Sequence, residues 1–457
     1  MLSLNGGNKP MELKRKIYSE LLDWKNKCAG NRAMLVNGAR RVGKSFICEL
    51  FGKNEYKSVI VVNFANLSPL IADTFEHDRT HLDVFFTKLS RHYGVELYTR
   101  ESLIIFDEVQ LYPLARQMIK QLVADSRYDY IETGSLISIK ENVKGIVLPS
   151  EERELEMHPL DFEEFLWAIG DDNAIDYMRL CYEQRTPMGQ AMHRKVMNMF
   201  RQYMLVGGMP QAVLAYIKGS DFEAADYEKR DILKLYRSDI TKYAAGYKGK
   251  VTAIFDGLPG QLSKKEKKYK LSSVVKNARL RDYENAFMWL SDGMIANPCF
   301  NTTDPGQGLA LSFDHSTHKL YMADTGLLIT HAFTNKKYTQ NTLYQAILQD
   351  KLRVNEGMLM ENIASQMLRS GGHKLFFYSR ADSLNRVNTM EIDFLIDING
   401  KICPVEVKSS AYKEHSSLDK FRNKFGSALG EAYILYTKDV MVKNAVIHLP
   451  LYMTMFL

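Results

Sequence analysis

The sequence is poor in the features that mark a secreted or membrane protein. Its 457 residues include five cysteines, Cys28, Cys48, Cys181, Cys299 and Cys403, an odd number, scattered and without a C-x-x-C pair. That argues against a disulfide framework and a zinc site, and suits a reducing cytoplasm. No apolar run approaches the ~20 residues that cross a bilayer, and the N-terminus lacks the basic-then-apolar order of a signal peptide. A soluble, cytoplasmic protein with no membrane partner is expected. Internal repeats and low-complexity linkers are missing too. Excess charge of one sign is scarce: a net +6 is small for this length and permits nucleic-acid binding without arguing for it strongly. What remains is ordinary globular material, 46% hydrophobic and 25% charged, long enough for two or three domains.

Apolar patterning divides the chain into three segments. In residues 1–165, an amphipathic helix (11–27) leads into continuous apolar runs at 59–64, 102–110, 128–135 and 153–160, interleaved with helical patterns. Such runs predict a parallel sheet covered on both faces, an α/β fold. Residues 166–353 carry long helical patterns rich in Tyr and Met, read as core. These are broken by Gly207-Gly208-Met209-Pro210 and Leu258-Pro259-Gly260. Two short helices (271–290) and strand-like runs at 294–300 and 319–322 follow, which predicts a helical, winged-helix-like middle. Residues 354–457 open with an amphipathic helix carrying Met358, Leu359, Ile363, Met367 and Leu368. Strands at 374–378, 391–398 and 402–407, a helix at 417–425 and a strand at 432–436 then form an independent α/β unit.

The chemistry begins at Gly38-Ala39-Arg40-Arg41-Val42-Gly43-Lys44-Ser45. This fits G-x-x-x-x-G-K-[ST], the phosphate-binding P-loop, at every fixed position. Backbone N–H groups of residues 38–45 would curl around phosphate oxygens, Lys44 would reach the β- and γ-phosphates, and the Ser45 hydroxyl would bind Mg²⁺. Phe46 continues into a helix whose N-terminus faces the anion. ATP and Mg²⁺ are therefore the expected ligands. The run Leu103, Ile104, Ile105, Phe106 delivers Asp107 to a strand's C-terminal end, the ligand edge of an open α/β sheet. Asp107 would hold Mg²⁺, and Glu108 would orient or deprotonate the attacking water. In Thr133-Gly134-Ser135, a hydroxyl such as that of Ser135 can sense the γ-phosphate. Arg40 and Arg41 face phosphate, a neighbouring subunit of a homo-oligomer, or solvent. Arg201 and Arg237 are candidate arginine fingers, or surface ion-pair residues.

A second constellation lies downstream. Period-two alternation in Glu391-Ile392-Asp393-Phe394 puts both acids on one face, and Glu406 and Lys408 likewise share a face. A turn containing Asn399-Gly400 would join the strands as a hairpin. Asp393 and Glu406 can then hold a hard cation such as Mg²⁺, with Lys408 positioning water against a phosphodiester, so all three are candidate catalytic residues. The alternative is a solvated charged face. The lysine cluster at 264–270 is either a DNA contact or a solvated loop.

Two resemblances follow. Asn37-Gly38-Ala39-Arg40-Arg41-Val42-Gly43-Lys44-Ser45, Ile105-Phe106-Asp107-Glu108-Val109-Gln110, Thr133-Gly134-Ser135 and His158-Pro159-Leu160-Asp161-Phe162 resemble prokaryotic AAA-type ATPases that carry a C-terminal domain of unknown function. Val206-Gly207-Gly208-Met209-Pro210 and Lys319-Leu320-Tyr321-Met322-Ala323-Asp324-Thr325-Gly326-Leu327 are similar to the same family. This resemblance implies a sheet in the order 5-1-4-3-2 and a winged-helix-like middle, but no known substrate. The spacing of Asp393, Glu406 and Lys408 resembles the PD-(D/E)XK nuclease fold, with Glu361 in the place of its helical acid, and the proline expected before the first acid is missing. The expectation is an ATPase coupled to DNA binding or processing. Its alternative is an ATP-switched DNA- or protein-binding module whose nuclease-like domain does not cut.

Overall fold

The computed structural model describes residues 12–28, 30–135, 151–244, 246–264, 282–333, 342–349, 356–380, 389–409 and 416–457. They form two compact units, the first at Lys14–His158 and the second at Pro159–Ser291 with Ile295–Leu457. Among the described residues no helix is long and apolar enough to cross a membrane.

The first unit runs α1 (Ile17–Lys27), β1 (Ala33–Gly38), α2 (Lys44–Glu55), β2 (Ser58–Asn63), α3 (Pro69–His77), α4 (Leu82–Tyr93), β3 (Ser102–Asp107), α5 (Pro113–Asp125), β4 (Asp129–Gly134) and β5 (Glu152–Met157). Its sheet has the order β2-β3-β4-β1-β5, every pair parallel, as the AAA resemblance implies. β1, β3 and β4 are buried along their whole length, which is why their apolar runs do not alternate. Aromatic edges close one face: the ring of Phe75 lies 5.1 Å from Phe85 and 5.7 Å from Phe106. A charged group is buried here as well. Arg116 on α5 grips both carboxylate oxygens of Glu152 at 2.8 Å. Glu132 on β4 lies beside Glu152, and burial, then its hydrogen bond with Glu152, raises its pKa well above the usual carboxylate range.

The second unit begins with α6 (Phe162–Ile169), started by a reciprocal capping box between Asp161 and Glu164. It continues through α7 (Asp172–Gln184), α8 (Gln190–Val206), α9 (Pro210–Ile217), α10 (Phe222–Tyr243), α11 (Lys248–Leu262) and α12 (Glu284–Asp292). Then come β6 (Ala296–Thr302), β7 (Phe313–Met322), α13 (Thr325–Ala332), α14 (Thr342–Leu348) and α15 (Glu356–Ser370). Last are β8 (Leu375–Arg380), β9 (Met390–Ile398), β10 (Lys401–Val407), α16 (Ser416–Phe425), β11 (Ala432–Tyr436), β12 (Met441–Lys443) and β13 (Val446–Pro450). The Tyr and Met side chains of α8, among them Met197, Met199, Tyr203 and Met204, are buried core, as anticipated.

Three expectations are corrected here. One eight-stranded sheet, β12-β13-β11-β10-β9-β8-β6-β7, takes strands from both sides of residues 353/354. For the same reason β6 and β7 are not a separate wing: β6 pairs in parallel with β8, which satisfies backbone groups a free hairpin would leave to solvent. α15 is not one-sided, since every residue from Met358 to Leu368 is buried. Its polar residues clamp it in place. Asn362 exchanges hydrogen bonds with the Met322 backbone at 2.8 and 3.1 Å, and Gln366 accepts from the Thr325 N–H and hydroxyl at 2.8 and 2.9 Å.

Finally, Pro259 does not break its helix but sits inside α11. A proline leaves the carbonyl four residues earlier without its donor. Here His331 supplies one, its Nε2–H reaching the Phe255 carbonyl at 2.9 Å. Residues 265–281, which hold most of the predicted lysine cluster and the start of the two predicted short helices, lie outside the described residues.

Candidate functional site

The first site forms where β1, β3 and β4 end side by side. Parallel register sets Asn37 beside Gly134 and Phe106 beside Glu132, so the loop after β1 meets the acidic end of β3. Gly38 is obligatory there: a Cβ would lie 2.4 Å from the Met157 carbonyl oxygen, and Gly43 takes a left-handed φ of 97° at the start of α2. Arg15 ties the loop down, donating to the carbonyls of Val42 at 3.0 Å and His158 at 2.7 Å.

Lys44 is buried, and its ammonium donates to the loop's own carbonyls at Gly38 (2.9 Å) and Ala39 (3.0 Å). Burial lowers its pKa to about 8, against the attraction of Glu108 and Asp107. Asp107 is the hub. Its Oδ1 accepts from the hydroxyls of Ser45 (2.5 Å) and Thr133 (2.6 Å), and its Oδ2 from the Asn63 amide (3.1 Å). Glu108 follows in a left-handed conformation, φ 57°, a strained position for a non-glycine residue. Its carboxylate accepts from the Gln110 side chain, and its N–H approaches the Thr133 hydroxyl at 3.3 Å. Arg40, Arg41 and Phe46 are exposed.

The structure thus brings Gly38, Lys44, Ser45, Asp107 and Glu108 together. At β4 the Thr133 hydroxyl meets Asp107. Asn63, Gln110 and Arg15 were missed. The only sequence signal for Asn63 was a polar residue ending an apolar strand. A hydroxyl touching a carboxylate beneath a glycine-shaped loop fits a nucleotide phosphate with Mg²⁺, an ion that draws most of its ligands from phosphate and water.

Residues 30–166 match the family described as AAA domain. That stretch contains the phosphate-loop motif at Gly38–Ser45 and the Asp107 hub. Residues 197–338 match a domain of unknown function (DUF8612), and residues 356–452 another (DUF4143). No curated relative matches the chain. Among solved structures, a Drosophila ORC structure bound to DNA is 13% identical, covering 70% of this chain and 94% of that one at a TM-score of 0.30. AMPPCP-bound DnaA from Aquifex aeolicus is 13% identical, covering 75% and 95% at a TM-score of 0.27. ORC2 of Aeropyrum pernix in its ADP form is 11% identical, covering 76% and 97% at a TM-score of 0.28.

The second constellation lies wholly in the second unit. The β9-β10 hairpin turns at Asn399-Gly400, both at positive φ, as an Asn-Gly two-residue turn requires. Glu391 and Asp393 alternate with the buried Ile392 and Phe394. Lys408 donates to Glu406 at 2.6 Å, the Val407 N–H to Asp393 at 2.9 Å, and the Tyr321 hydroxyl to Glu361 at 3.1 Å.

A further residue enters this cluster, one that the sequence showed only as part of a motif. Lys319 on β7 is 1% exposed; its ammonium lies 3.1 Å from Glu391 Oε1 and 3.8 Å from Asp393 Oδ1, and 4.9 Å from the centre of the Phe377 ring. Burial works against its charge, but the acids Glu361, Asp393 and Glu391 together overcome it and raise its pKa above the ordinary lysine value. Of the two carboxylates expected to hold Mg²⁺ here, Asp393 faces Lys319 and Glu406 faces Lys408, and this arrangement does not fit a divalent ion. Among the described residues no group of three or more His, Cys, Asp or Glu side chains forms a metal cage.

The arginine candidates have partners within the second unit: Arg237 donates to Asp256 at 2.5 Å and Arg201 to Asn198 at 2.8 Å. Lys264 donates to the Gln261 side chain at 3.1 Å.

Proposed function

We propose that the protein is a Mg²⁺-dependent ATP hydrolase whose nucleotide cycle governs the binding of DNA by its second unit. The observation that carries the ATPase reading is the Asp107 hub, which gathers Ser45, Thr133 and Asn63 beside a buried Lys44. Lys44 would leave the loop carbonyls for the β- and γ-phosphates, and Ser45 and Asp107 would hold Mg²⁺. The ion would supply charge neutralisation on the phosphates. Glu108, steadied by Gln110, would accept the proton of the attacking water. Ser135 and Arg40 are proposed as further phosphate contacts, and Arg237 or Arg201 as the finger in a homo-oligomer.

DNA binding rests on the nuclease-like reading of the second unit. The succession α15-β8-β9-β10-α16-β11, antiparallel through β10 and then parallel to β11, supports that reading. Lys319 among the acids favours binding without cleavage. ATP turnover by the wild type, Lys44→Ala and Glu108→Gln tests the assignment; turnover unchanged in both variants removes the site. Anisotropy of labelled duplex and single-stranded DNA, with and without ATP, tests the coupling.

A further inference from the structure

We propose that Lys319 is the resident cation of the acids Glu391 and Asp393, standing where the nuclease-like topology implies a divalent metal. The assignment rests on that reading of the second unit. Three observations carry it. The lysine is buried, so its charge requires partners, and both Glu391 and Asp393 lie within 4 Å of its ammonium. Those acids stand on β9 although β6 and β8 lie between β7 and β9 in the sheet, so the approach is tertiary and not a neighbouring-strand ladder pair. Phe377 adds a ring face beside the ammonium, a surface that suits an ammonium better than a hydrated divalent ion.

A divalent ion at the same oxygens would sit within a few ångströms of the fixed positive charge of a buried lysine, with Asp393 17% and Glu391 43% exposed. The ammonium and the metal are mutually exclusive occupants. The consequence is a nuclease-like unit with its carboxylates in place and its hydrolytic metal displaced. Lys408 is likewise committed, to Glu406.

The test is Mn²⁺ counting on the full-length, nucleotide-free protein, by electron paramagnetic resonance of free Mn²⁺ across a titration. Wild type, Asp393→Asn, Lys319→Met and the Lys319→Met/Asp393→Asn double variant are compared. Wild type and Asp393→Asn should bind equal numbers of ions. Lys319→Met should bind about one ion more per chain, a gain lost again in the double variant. The proposal is overturned if Asp393→Asn loses an ion that wild type holds, or if folded Lys319→Met gains none. Should Lys319→Met not fold, the wild-type comparison with Asp393→Asn still decides. DNA affinity is read in the same wild-type preparation. Its absence would remove the DNA-binding reading alone, because the ion count does not depend on it.

Discussion

Raising the pH should weaken nucleotide binding in a way that reports on one lysine. Lys44 is enclosed by the P-loop, and burial depresses its pKa to about 8. Phosphate oxygens favour its charged form, so above that pH the free protein must take up a proton at Lys44 in order to bind. The sign follows directly. Affinity is nearly flat while the free lysine is charged and falls as pH rises through its pKa, reaching a factor of ten per pH unit. Between pH 7 and pH 9 the Kd for MgATP should therefore rise about tenfold. Competition against a fluorescent nucleotide at constant ionic strength and saturating Mg²⁺ measures it. Lys44→Met should bind more weakly and show no slope over this interval. A flat wild-type profile, or a slope that survives in Lys44→Met, would refute the assignment of both the pKa and the contact.

Glu108→Gln should lower ATP turnover by about 10²–10⁴-fold while leaving ATP affinity intact, since it removes the proton acceptor and keeps the shape; equal losses in both would point to misfolding. His331→Phe keeps a ring against Phe255, 4.6 Å away, but removes the donor to its carbonyl, and should cost about 1–3 kcal/mol in denaturant unfolding. In a Pro259→Ala background the helix regains its own donor, so that cost should largely disappear; identical costs in both backgrounds would sink the explanation. Burial also lowers the pKa of His331, so its neutral form is native, and the second unit should lose stability as pH falls below about 6.5, less so in His331→Phe. Glu132 has the opposite sign. Its folded pKa is raised, so its stabilising contribution is full below the unfolded carboxyl value and is lost as pH rises above it. The melting temperature of the first unit should then drop less between pH 5 and pH 8 in Glu132→Gln than in wild type.

The parts of the fold that were legible are those governed by local physics. Continuous apolar runs read as buried parallel strands because β1, β3 and β4 have protein on both faces. The Asn399-Gly400 turn was readable because few residue pairs accept positive φ twice in succession. Pro259 was misread because the repair of its helix comes from His331, far along the chain. The attachment of α15 across residue 353 was not legible, because its buried amides bond to Met322 and Thr325, partners far away in the chain.

The sequence by itself determined the phosphate loop, the acid at the end of β3 and the acid-bearing hairpin, since each is set by residues close together in the chain. Only the tertiary structure decided what those groups face. Strand order brought Asn63 and Thr133 onto Asp107. Tertiary packing made the Asp324 carboxylate, which caps its own helix at the Leu327 N–H, the link to a second glycine-bearing motif by accepting from Gly208 at 2.5 Å. It also put Lys319 among acids that composition and spacing left open to a metal. The physical reason is the same in each case. Periodicity fixes which face a side chain takes, while its partner across that face depends on which strands pack as neighbours, a property of the whole chain.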